Sequence, residues 1–118
     1  METNYPILDF PTNFNGKLYC TVFTTIRLRN DNKYIPGAVF EQTLKFQPSG
    51  TVEILEVKNF TLDQLNDFMS FIDLGVNKKE AVKILQREYL SAAEDPEQQF
   101  SYILLRRIQP DIHLNTQL

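Results

Sequence analysis

The thirteen residues from Lys17 to Arg29, Lys-Leu-Tyr-Cys-Thr-Val-Phe-Thr-Thr-Ile-Arg-Leu-Arg, constrain this chain more than any other stretch. Leu18, Cys20, Val22, Thr24, Ile26 and Leu28 fall on one side of an extended backbone, and Tyr19, Thr21, Phe23, Thr25, Arg27 and Arg29 on the other. The pattern predicts one long strand with an apolar core face, where Cys20 is a buried and unreactive thiol. The opposite face is too polar for a core and sets hydroxyls beside guanidinium groups. Thr25 and Arg27, two positions apart, share that face and can enter one cleft.

Charge bears on what such a cleft can hold. The 118 residues carry a formal net charge of -3, which argues against non-specific binding of nucleic acid. Residues 1–58 balance six Lys/Arg against six Asp/Glu, whereas residues 59–118 set six against nine. A site for a polyanion therefore belongs to the first half, near Lys17, Arg27, Arg29 and Lys33. The length suits one domain. The single Cys20 excludes an internal disulfide and the usual multi-cysteine zinc site. His113, the only histidine, lies in a polar tail and reads as solvated. No metal and no cofactor is expected. No apolar run approaches a membrane span and no signal segment is recognisable, so a reducing, cytoplasmic location is the expectation.

Before the long strand, residues 1–14 read as an extended, irregular lead-in. After it, Asn30-Asp31-Asn32 is a turn and Pro36-Gly37 suits a type II turn. Strands are predicted over 38–47 and 51–58, joined at Pro48-Ser49-Gly50, with the second one central because both its faces are apolar. Leu62, Leu65, Phe68, Met69 and Ile72 recur at helical spacing, so a helix is predicted from Asn59 to Leu74, capped by Thr61 with Gln64 and stopped at Gly75. A second helix starts at Asn77 with Glu80 and carries Ala81, Ile84, Leu85 and Tyr89 on one side. An acidic loop over 91–99, a strand over 100–108 and a polar tail over 109–118 complete the chain. The fold class is α+β: a small, partly open β-barrel with two helices covering one end.

In this order, Thr24-Thr25-Ile26-Arg27, Tyr34-Ile35-Pro36-Gly37-Ala38-Val39, Gly50-Thr51-Val52-Glu53-Ile54, Phe60-Thr61-Leu62-Asp63-Gln64-Leu65 and Phe100-Ser101-Tyr102-Ile103-Leu104-Leu105 resemble the ASCH domains of the PUA-like β-barrel superfamily. The resemblance covers a domain over 15–108. It implies a barrel whose cleft binds RNA or a nucleotide-like ligand. The chain is also similar to a small bacterial branch, amidohydrolases that remove the acyl group of N4-acetylcytidine with a threonine, a lysine and a glutamate. Carried over, the threonine is Thr25 and the glutamate position falls at Asp73. The lysine position is occupied by Val22, with Lys17 as one candidate substitute among several cations.

Three expectations follow. The first is an RNA- or nucleoside-binding domain, with Lys17, Thr24, Arg27, Arg29 and Tyr34 as the nucleic-acid-binding set. The second is an amidohydrolase with Thr25 and Asp73 as catalytic residues. The third is a protein-interaction module of a bacterial or phage accessory protein. Oligomeric state is not legible in the sequence.

Overall fold

In the computed structural model, residues 5–90 and 94–108 are described; the readings for the 109–118 tail, with His113, lie outside them. Seven regular elements follow in chain order: β1 (Ile7–Phe10), β2 (Val22–Leu28), β3 (Val39–Leu44), β4 (Gln47–Thr61), α1 (Asp67–Leu74), α2 (Lys78–Glu88) and β5 (Gln99–Ile108). The five strands form one curled mixed sheet in the order β1-β3-β4-β5-β2. Only the β1–β3 pairing is parallel. The fold is thus α+β, as expected. β4 is central and pairs with β3 on one side and β5 on the other.

Several elements differ from their sequence expectation. The lead-in is not wholly irregular, because Ile7–Phe10 forms a parallel edge strand against β3. The single strand from Lys17 to Arg29 is two elements. Phe14–Tyr19 is a 3-10 segment, and β2 starts only at Val22. Asn15 (φ 60°) and Gly16 (φ 64°) both adopt left-handed backbone, which glycine and asparagine tolerate best and which, at two residues in succession, turns the chain out of an extended run. The alternation therefore has no continuous backbone to act on. Cys20 is exposed rather than buried, and Val22 is 47% exposed.

Within β2 itself both faces are covered. Phe23 joins a cluster with Leu8, Phe10, Phe40 and Ile54, while Ile26 joins a second with Leu65, Leu74, Leu85 and Phe100. Thr24 and Thr25 sit buried between these two clusters. Phe23, expected on the polar face, is a core residue.

The reversal between β3 and β4 occurs at Lys45 (φ 51°) and Phe46 (φ 64°), not at Pro48-Ser49-Gly50, which belong to β4. Asp9 specifies this turn from outside it: its Oδ1 accepts from the Thr43 hydroxyl at 2.6 Å and from Phe46 N–H at 2.7 Å. A local propensity argument cannot see a carboxylate more than thirty residues away.

The first helix also begins later than expected. β4 runs to Thr61, a 3-10 turn covers Leu62–Gln64, and Leu65 is extended. The Thr61–Gln64 pairing exists, with Gln64 Oε1 accepting from Thr61 N–H at 2.9 Å, but it closes the 3-10 turn. Asn66 caps α1 instead, accepting from Met69 N–H at 2.8 Å. The late start changes which face turns inward. Phe68 is 75% exposed, and the buried residues of α1 are Ser70, Asp73 and Leu74, spaced three and four apart. Gly75 (φ 76°) ends α1 and α2 starts at Asn77, both as expected. The cap is therefore a positioning device for Asp73. Asn66→Ala is expected to lower unfolding free energy by about 1 kcal/mol, read as a reduced urea midpoint at unchanged slope.

Candidate functional site

A cleft of about 260 Å³ opens where β1, the 3-10 segment, β2 and both helices meet. Its wall carries Lys17, Thr25, Arg27, Asp73 and Glu88, backed by the aromatic rings of Phe10, Phe14 and Tyr89. Each polar group arrives for a local reason. The left-handed turn at Asn15-Gly16 carries the following Lys17 back under the sheet. The phase of α1 points Asp73 at it. Glu88 and Tyr89 lie at the end of α2, one and two turns beyond the buried Leu85 and Ala81.

The central contact is between Lys17 Nζ and Asp73 Oδ1, 3.2 Å apart. Lys17 is 5% exposed and Asp73 1% exposed. Thr24 also donates its hydroxyl to Asp73 Oδ1, at 2.7 Å. Burial pulls the Lys17 amine below the ordinary lysine value, against the opposing attraction of Asp73. Burial likewise raises the Asp73 carboxyl, against Lys17 and the Thr24 hydrogen bond.

Arg27 lies beside this pair. Its guanidinium carbon stands 4.5 Å above the centre of the Phe10 ring, a cation–π contact, and its Nε donates to Thr25 Oγ1 at 3.1 Å. Because Thr25 accepts this bond, its own hydroxyl hydrogen remains available to a base or ligand. Among the described residues, no carboxylate lies within ion-pair distance of Arg27. Burial raises the Glu88 carboxyl, with Arg27 the strongest opposing charge and Lys17 next.

Of the residues singled out in the sequence, Thr25, Asp73, Lys17 and Arg27 converge on the cleft. Thr24 is buried beside it, with its hydroxyl committed to Asp73. Arg29 lies outside the cleft wall, exposed and paired with Asp31 through Nε at 2.7 Å. Tyr34 is half-buried against Phe40, ring centres 6.2 Å apart, and packs on the core instead of lining the cleft. Arg107 donates to the Ser49 and Leu18 carbonyls, and Arg106 pairs with Glu53, so both lie outside the cleft wall. Among the described residues, no group of three or more His, Cys, Asp or Glu side chains could hold a metal ion. No helix among them is long and apolar enough to cross a membrane.

Val22 lies outside the cleft wall, and the lysine that lines the cleft is Lys17, from the 3-10 segment. Sequence reasoning overlooked Glu88 and the aromatic role of Phe10. Glu88 did leave a signal: a carboxylate at 88 continues the inward stripe of 81 and 85. Comparison with protein-family models, curated proteins and solved structures returns no match.

The pair makes a stability prediction. Asp73→Asn leaves Lys17 buried without a counter-charge and is expected to cost about 3–5 kcal/mol; Lys17→Met in the same chain should restore much of it. Without Asp73, the folded amine drops further below its unfolded value, so the unfolded state binds more protons between the two. Stability of Asp73→Asn should therefore rise toward the wild type as pH climbs toward the ordinary lysine value of 10.5. Urea titrations from neutral pH upward read both effects.

Proposed function

We propose that this chain is an ASCH-type, PUA-like domain that binds a nucleoside unit, free or within RNA, in the cleft built on β2. The observation carrying this reading is the convergence of Lys17, Thr25, Arg27 and Asp73 beside Phe10 and Tyr89 in one small cavity. Donors and acceptors at its wall suit the edge of a base, and aromatic rings suit its face. At about 260 Å³ the cavity matches a single unit rather than a strand.

A second reading, hydrolysis of an acylated cytidine, is favoured by one specific feature: a buried lysine and a buried threonine share the cleft. In this reading neutral Lys17 Nζ takes the Thr25 hydroxyl proton as Oγ1 bonds to the acyl carbon. The carbon–nitrogen bond then breaks, the exocyclic nitrogen receives the proton, and water cleaves the acyl-threonine. Burial favours the neutral amine this requires. In the same reading Arg27, which donates to Thr25 Oγ1, would also donate to the developing oxyanion.

Calorimetric titration with ribonucleosides, N4-acetylcytidine and a short single-stranded RNA tests binding. Arg27→Ala should weaken the bound ligand by about tenfold or more, the worth of a hydrogen bond from a charged donor. Absence of binding by every ligand in the panel would sink the proposal. For hydrolysis, chromatography should detect cytidine released from N4-acetylcytidine by wild-type protein, and Thr25→Val should lose at least about a thousandfold in rate. Binding without turnover leaves the first reading alone standing.

A further inference from the structure

We propose that Glu88 makes the cleft selective for an uncharged nucleoside over its phosphorylated forms, an inference that rests on the nucleoside reading above. Two basic and two acidic side chains line the cavity: Lys17 and Arg27 against Asp73 and Glu88. Lys17 and Asp73 are in direct contact, so they sum to zero whichever of them holds the shared proton. The charge offered to a ligand is therefore set by the remaining two.

Arg27 is permanently cationic and, alone in this wall, would draw a phosphate. Glu88 cancels that charge without consuming the donors. Among the described residues, neither Arg27 nor Glu88 has an ion-pair partner, and the Arg27 Nη groups make no hydrogen bond. Both groups line the cavity, Arg27 half-buried and Glu88 exposed, and both are open to contact by what enters it. A carboxylate only accepts, and a guanidinium only donates. Together they fit a ligand presenting an N–H or O–H next to a carbonyl, as a base edge or a ribose diol does. A phosphate dianion offers acceptors alone and would face the exposed Glu88 carboxylate as a like charge, an opposition that added salt weakens. The phosphate-binding role that the Thr25–Arg27 face suggests by itself is thus cancelled from α2.

Calorimetry with the four ribonucleosides and their 3′- and 5′-monophosphates tests this on the full chain. For the nucleoside that binds, wild-type protein should hold both monophosphates at least about tenfold more weakly, since opposing a like charge costs that much or more. Glu88→Gln, nearly the same shape, should bring the dissociation constants together, and Arg27→Gln should widen the gap. Circular dichroism confirms that each variant is folded. Should wild-type protein bind a monophosphate as tightly as the nucleoside, or should Glu88→Gln leave the ratio unchanged, this inference falls while the nucleoside reading stands. Failure of every nucleoside and monophosphate to bind overturns both.

Discussion

The buried contact between Lys17 and Asp73 organises the cleft of this molecule. Ion pairs removed from water stabilise little by themselves, since desolvation offsets most of the attraction. Their effect is on geometry. A buried ammonium accepts very few arrangements, and here it has a carboxylate at 3.2 Å whose oxygen is also held by Thr24. Three separate pieces of chain, the 3-10 segment, β2 and α1, are thereby fixed to one another. A hydrophobic replacement would fill the same volume but would leave α1 free to rotate or slide on β2.

Much of the architecture was legible in the residues because it depends on local patterns. The strand at 100–108, the glycine stop at 75 and the Asn77 start of α2 need only neighbours in sequence. What was not legible depended on distant partners or on phase. The Lys45-Phe46 turn is specified by Asp9. The inward face of α1 is set by whether the helix starts at Thr61 or Asn66, a difference of five residues that turns Phe68 outward and Asp73 inward.

The site divides along the same line. Thr25 and Arg27 share a strand face, so a two-residue period identifies them. Arg29 continues that period yet ends outside the cleft, held by Asp31 across the adjacent turn. Lys17 was visible only as one cation among several, because its position follows from two left-handed residues, Asn15 and Gly16.

The sheet order leaves β1 and β2 at opposite edges, and among the described residues no backbone ladder joins them. They meet through side chains: Phe10 lies edge-on to Phe23 at 6.0 Å and beneath the Arg27 guanidinium. This seam forms one wall of the cleft. A closed barrel would join these two edges by a hydrogen-bond ladder; here close-packed rings and a guanidinium close the wall instead, so its integrity rests on side-chain packing at Phe10 and Phe23.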